Sequence, residues 1–260
     1  MSDASCEPAS ASVVGVERSG HVALVEMRRP PHNFFDAAMV AELADAFQAL
    51  ESDDACRAVV LAAQGKSFCA GADFSGDRRN DRGALYAQAL RLFAMRKPVV
   101  AAVHGPAIGG GLGVALVADF RVTCPQARFS ANFTRLGFHP GFGLSHTLPR
   151  LVGEQQAALL FYTGRRIDGA QAHAIGLADE LVDGPEQTRE RALALAAEIA
   201  ASAPIAVESV RATLRAGLYQ RVEAAIAHEN AQQQLHFGTA DCREGLAASL
   251  QRREPVFTRS

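Results

Sequence analysis

What the 260-residue chain lacks narrows its class first. Its five cysteines (Cys6, Cys56, Cys69, Cys124, Cys242) are odd in number, scattered, and include no C-x-x-C pair. That excludes a disulfide framework and a zinc-finger ligand set, and fits a reducing compartment. Basic charge is not in surplus: 26 Lys and Arg stand against 28 Asp and Glu, a net charge of −2, so no global field draws in nucleic acid or an anionic bilayer. No apolar run approaches the ~18 residues of a membrane span, and Met1–Ser12 lacks the basic-then-apolar layout of a leader. The phosphate-cradling patterns G-x-G-x-x-G and G-x-x-x-x-G-K-[ST] are missing, which weakens a nucleotide reading. The expectation is a soluble, cytoplasmic chain with no metal and no nucleic-acid or membrane partner.

What is present is a core: 48% of the residues are hydrophobic. Val13–Val16 and Val22–Met27, split by Ser19-Gly20, predict a hairpin closed off by Pro30-Pro31. Asp36 caps a predicted helix through Met39, Leu43, Phe47 and Leu50. Ala58–Ala62 and Pro98–Val103 are continuously apolar, as strands buried on both faces of a parallel sheet are. A loop over Gln64–Asp81 and a helix over Leu85–Met95 lie between them. This β–α–β alternation predicts an α/β core. From Gly153 onward the pattern is helical: Glu154–Tyr162, Asp168–Ala174, Glu186–Ala201, Pro204–Gly217, Leu218–Phe237 and Ala240–Arg252. The expected division is a flexible terminus over 1–12, a core over 13–200 and a helical region over 201–260.

Two glycine-rich turns follow the buried strands, Gly65–Phe74 and His104–Gly113, the second running into the apolar stretch Val114–Ala118. In parallel sheets ligands bind beyond the carboxyl ends of strands. Glycines there let backbone N–H groups approach a ligand closely. Two converging amides form an oxyanion hole, which stabilises a developing negative oxygen by roughly 2.7–4 kcal/mol per donor.

With these turns the chain resembles the crotonase superfamily, the enoyl-CoA hydratase/isomerase group. The resemblance rests on F-C-A-G-A-D at Phe68–Asp73, K-P-V-V-A-A-V-H-G-P-A-I-G-G-G at Lys97–Gly111, A-D-F-R-V at Ala118–Val122, R-L-G-F-H-P-G-F-G at Arg135–Gly143 and the Thr163–Val182 stretch. It runs in order from about Val13 to Val256. It implies an α/β spiral of ββα repeats with a helical C-terminal trimerisation region, assembled as a homotrimer or a dimer of trimers. It also implies an acyl-CoA thioester partner, with CoA part of the substrate and no separate cofactor. By their places in the motifs, the amides of Ala70 and Gly110 would hold the thioester oxygen. Phe68, Gly71, Ala72 and Asp73 would line the substrate, and Arg28 and Arg29 would meet the CoA phosphates.

The departures from that family matter as much. Hydration needs a base for water and an acid for the α-carbon, and the resemblance places glutamates for these tasks at positions that hold Gly113 and Phe133 here. The Pro140-Gly141-Phe142-Gly143 turn, which carries an aspartate in some relatives, also lacks an acid. His139, inside that turn, is the first candidate to replace them, with a side chain suited to acid–base work near neutrality. Arg135 is a candidate anchor for a substrate carboxylate, and His32 and His146 are lesser acid–base candidates. Cys69 has no partner base in sequence and reads as a small buried residue. Phe133, Phe138 and Phe142 predict a narrow aromatic pocket. An enoyl-CoA hydratase/isomerase-like enzyme, a decarboxylase, C–C hydrolase or isomerase with one base, and a non-catalytic acyl-CoA binder all remain open.

Overall fold

The computed structural model describes residues 12–73 and 82–260; residues 1–11 of the expected terminus over 1–12, and loop residues 74–81, lie outside them. β1 (Val14–Ser19) and β2 (Val22–Met27) form the antiparallel hairpin. α1 (Ala37–Glu51) follows, capped by the Asp36 carboxylate, which accepts from the Met39 amide at 2.9 Å. β3 (Ala58–Ala63), α2 (Arg82–Leu92) and β4 (Val99–Val103) complete the first β–α–β unit. β2, β3 and β4 are each buried at every residue, the pattern that continuous apolar runs predict.

From there the chain alternates between two sheets. β4 and the later β6 (Phe120–Thr123) and β9 (Glu180–Leu181) lie in a six-stranded sheet ordered β1-β2-β3-β4-β6-β9, and β5 (Ala107–Ile108), β7 (Arg128–Ser130) and β8 (Ile167–Asp168) in a three-stranded sheet ordered β5-β7-β8. After α3 (Gly110–Ala115), β6 (Phe120–Thr123) returns to the first sheet and β7 (Arg128–Ser130) to the second. α4 (Leu144–Thr163), β8 (Ile167–Asp168), α5 (Gly169–Ala174) and β9 (Glu180–Leu181) make a further turn of this spiral. The glycine run is therefore the first turn of α3 itself, four residues ahead of the apolar stretch that predicted it. α4 likewise starts before Gly153, which breaks it at φ +78°.

The two faces of the large sheet bury different partners. Val59, Leu61 and Val99 join the main core with α1, while Ala58, Val60, Ala62 and Val100 face Ala192, Ala196 and Ala200. Those three alanines lie on α6 (Pro185–Ala200), whose small residues let helix and sheet approach closely. Arg121 of the A-D-F-R-V motif is fully buried: it donates to the Leu177 and Ala118 carbonyls at 2.8 and 2.9 Å and pairs with Asp179 at 2.7 Å. The structure thus gives that motif residue a structural role. α7 (Pro204–Leu214), α8 (Leu218–His236) and α9 (Ala240–Gln251) close the fold, α8 packing on α2 and α4 and α9 on the 3-10 turn at Thr134–Leu136. Among the described residues no single helix is long and apolar enough to cross a membrane.

Candidate active site

The segment Cys69–Asp73 runs between two others, and its amide directions decide which groups are available. On one side it pairs with Pro31–Phe35: the Ala70 amide donates to the His32 carbonyl at 2.9 Å, Phe35 N to the Gly71 carbonyl at 2.9 Å, and Asp73 N to the Phe35 carbonyl at 2.8 Å. On the other side Cys69 N donates to Pro106 O, and Cys69 O accepts from Ile108 N, both at 3.0 Å. Regular strands alternate sides residue by residue, but here Ala70 and Gly71 both turn toward Pro31–Phe35. Gly71 sits at φ +107°, a conformation open to glycine, and this bulge reverses the register of the residue after it. Ala72, bridged to Phe35 through its two neighbours, therefore turns its amide away from Pro31–Phe35. At Gly109 the chain turns away, its amide donating to the Ser130 carbonyl at 2.8 Å. Neither the Ala72 nor the Gly110 amide donates to any described residue.

This corrects one expectation. Ala70, read as an oxyanion donor, has its N–H engaged by His32, and the amide left open at this turn belongs to Ala72. Ala70, Gly71, Ala72, Asp73 and Gly110 all line one cavity of about 910 Å³, together with Phe133, Phe142 and Arg29.

The cavity wall is largely aromatic. Phe35 meets Phe142 edge-on at 5.6 Å between ring centres, Phe133 meets Phe138 at 5.8 Å, and Phe138 lies 4.9 Å from Phe237. Phe142 is buried at φ +66°, an uncommon conformation for a bulky residue. A Cβ placed on Gly113 would fall 2.7–2.8 Å from the Phe142 side chain. Phe142 fills the space that a side chain at position 113 would need.

Other predicted residues are not brought to this cavity. His139 lines a separate cavity of about 600 Å³ with His236; its Nδ1 lies 2.9 Å from the Pro140 carbonyl and its ring packs against those of His228 and His236. The structure thus does not bring His139, the expected acid–base group, to the cavity that Ala72 and Gly110 line. Phe68 is fully buried in the core and off the wall. Arg135 pairs with Glu254, and Arg28 with Glu26 and Glu17; neither lines the cavity, so the carboxylate-anchor reading of Arg135 and the phosphate reading of Arg28 are corrected too. Arg29 stays at the wall, held by Asp36 at 3.2 Å. Cys69 is enclosed and its thiol is pushed up to about 12 by burial, which rules it out as a thiolate nucleophile at neutral pH.

Sequence reasoning missed the face of α8 that grips the Pro140–Gly143 turn. Glu229 accepts from Gly143 N, Ser145 N and Ser145 Oγ at 2.7, 2.8 and 2.6 Å. Gln233 Nε2 donates to the His139 carbonyl at 2.9 Å, and His236 Nδ1 accepts from His139 N at 3.1 Å. These residues recur at i, i+4 and i+7, one helical stripe, and Glu229 and Gln233 are buried; polar residues on an inward stripe were the signal available. Burial raises the Glu229 carboxyl above its usual range despite its three donors. Burial, then the neighbouring His139, lowers His236. Tyr86 of α2 also reaches the cavity, with its hydroxyl donating to Gln233 Oε1 at 2.6 Å.

The comparisons with known proteins agree with this architecture. A profile of the family "Enoyl-CoA hydratase/isomerase" matches residues 17–260. A crotonyl-CoA hydratase of Syntrophomonas wolfei is 34% identical over 93% of this chain and 96% of its own length. A short-chain-enoyl-CoA hydratase of Clostridium acetobutylicum is 33% identical over 92% and 95%. The solved structure of an enoyl-CoA hydratase/isomerase from Pseudoalteromonas atlantica superposes with a TM-score of 0.87 at 30% identity, covering 95% of this chain and all of that one. With its two-sheet spiral, helical C-terminal region and nearly full-length match, the chain belongs to the enoyl-CoA hydratase/isomerase family of the crotonase superfamily.

Proposed function

We propose that the protein takes an acyl-CoA thioester into the aromatic cavity and stabilises its enolate oxygen on the amides of Ala72 and Gly110. The observation that carries this reading is the pair of open backbone donors, on adjacent segments, lining one cavity. Each such donor contributes roughly 2.7–4 kcal/mol to a developing oxyanion. Arg29, at the same wall, is the group we assign to the CoA phosphates.

The absence of carboxylates at Gly113 and Phe133 argues against two-glutamate hydration. Among the described residues, the side chains on this cavity that can carry a proton are His32, Asp73 and Tyr86. We therefore favour a reaction that needs one proton carrier, such as decarboxylation, C–C bond cleavage or double-bond migration. Assembly as a homotrimer is part of the proposal, supported by α7, whose Ile205, Val210 and Leu214 are 84%, 59% and 72% exposed.

The test is α-proton exchange of butanoyl-CoA in deuterated buffer, followed by mass spectrometry. The wild type is expected to exchange, and Ala72→Pro, which removes the N–H without breaking an internal hydrogen bond, to exchange at least ~100-fold more slowly. Binding without exchange would leave a non-catalytic acyl-CoA binder; no binding at all would refute the proposal.

A further inference from the structure

The cavity holds one polar pair deep in its aromatic wall. Tyr86 Oη donates to Gln233 Oε1 at 2.6 Å, and Gln233 Nε2 donates to the His139 carbonyl at 2.9 Å. The amide orientation follows from the His139 carbonyl: flipping it would set Oε1 against that oxygen. An amide nitrogen carries two hydrogens, and the second one on Gln233 meets no acceptor among the described residues. Gln233 is 2% exposed, so bulk water does not reach it freely. A buried donor left unmet costs ~1–3 kcal/mol.

The surroundings leave that donor open to the cavity. Gly141 lines the cavity beside the pair, and a Cβ there would fall 2.7 Å from Gln233 Nε2 and 2.3 Å from Tyr86 Oη. A glycine at this point keeps the two polar atoms uncovered. Next to it stands Phe142, whose ring packs on Phe35 and over Gly113 of α3, the helix that begins at Gly110. The pair is therefore on the same wall as the open amides.

We propose that the acyl group bound here carries an oxygen, and that Gln233 Nε2, oriented by the Tyr86 hydroxyl, donates a hydrogen bond to it. This deepens the acyl-CoA reading and rests on it. The polar pair selects among acyl chains, while the Ala72 and Gly110 amides act on the thioester that all of them share.

The test measures dissociation constants by calorimetry for butanoyl-CoA and its β-hydroxy, γ-hydroxy and γ-oxo counterparts. The wild type is expected to bind at least one oxygenated chain ~10-fold more tightly than butanoyl-CoA. Gln233→Met, near in volume and without the donor, is expected to erase that preference, costing the oxygenated chain ~10-fold more affinity than it costs butanoyl-CoA. Tyr86→Phe, which removes only the orienting hydroxyl, is expected to reduce the preference in part. Equal wild-type affinity across the series overturns the proposal. So does an equal loss for every chain in Gln233→Met, because that is the mark of a residue that only holds the His139 carbonyl. If no CoA thioester binds, the acyl-CoA reading falls instead, a result distinct from binding without discrimination.

Discussion

The contact between Gly113 and Phe142 makes a double-mutant cycle decisive. Gly113→Ala places a methyl 2.7 Å from the Phe142 Cβ and 2.8 Å from its Cγ and Cδ1, well inside the ~3.5–4.0 Å of ordinary carbon contact. Phe142 is 1% exposed and cannot swing into solvent, so the overlap costs ~1–3 kcal/mol. Replacing a helical glycine by alanine gains up to ~1 kcal/mol, which leaves Gly113→Ala neutral to destabilising by ~2 kcal/mol in the wild type. Phe142→Gly removes every clashing atom. It loses a buried ring, ~3–5 kcal/mol, and recovers ~1–2 kcal/mol of left-handed strain. In that background Gly113→Ala keeps only its helical gain and becomes stabilising. The coupling energy is therefore ~1–3 kcal/mol, read from urea unfolding by far-UV circular dichroism at one fixed protein concentration. Additivity within ~0.5 kcal/mol would refute the packing argument. The same logic holds for Gly113→Glu: hydration of crotonyl-CoA is expected to gain from the new carboxylate only when Phe142 is also reduced to glycine.

Two further outcomes are expected. His236 accepts from the His139 amide through Nδ1, and burial and the His139 ring both disfavour its protonation. A histidine held below its ordinary value binds its proton better unfolded, so the stability it contributes is present above about pH 6.5 and is lost as the pH falls through that value. The titratable group beside it is His139, which is itself faced by His228 and Glu229. Between about pH 8 and about pH 5.5 the melting temperature should fall more steeply for the wild type than for His236→Asn; parallel curves would remove His236 from this role. For assembly, light scattering should give about three times the 27.5 kDa chain mass, and Leu214→Glu with Ile205→Glu should shift it toward the monomer. A monomeric wild type refutes the trimer.

The parts of the fold legible in sequence are those whose determinants are local. Ala58–Ala63 and Val99–Val103 read as buried strands because every residue is apolar, and α1 because Asp36 precedes a helical apolar stripe. The ends of elements were less legible. The glycines of α3 have poor intrinsic helix propensity, and only tertiary contacts such as Cys69 against Gly111 and Phe142 against Gly113 fix them as helix.

The site was legible as a pair of turns and illegible in its directions. Motif position puts Ala70 and Ala72 two residues apart, and nothing local says which amide is open. The answer depends on the His32 carbonyl, which engages Ala70, and on the bulge at Gly71, which turns Ala72 the other way. His139 failed for the same reason: its place in the turn is local, but its orientation is set by α8, through His236 on its amide and Gln233 on its carbonyl. At position 113 the sequence shows only a glycine, whereas the structure adds that Phe142 packs where a side chain there would stand. Chemistry here must accordingly be argued from what the wall offers, two backbone donors and a buried tyrosine–glutamine pair.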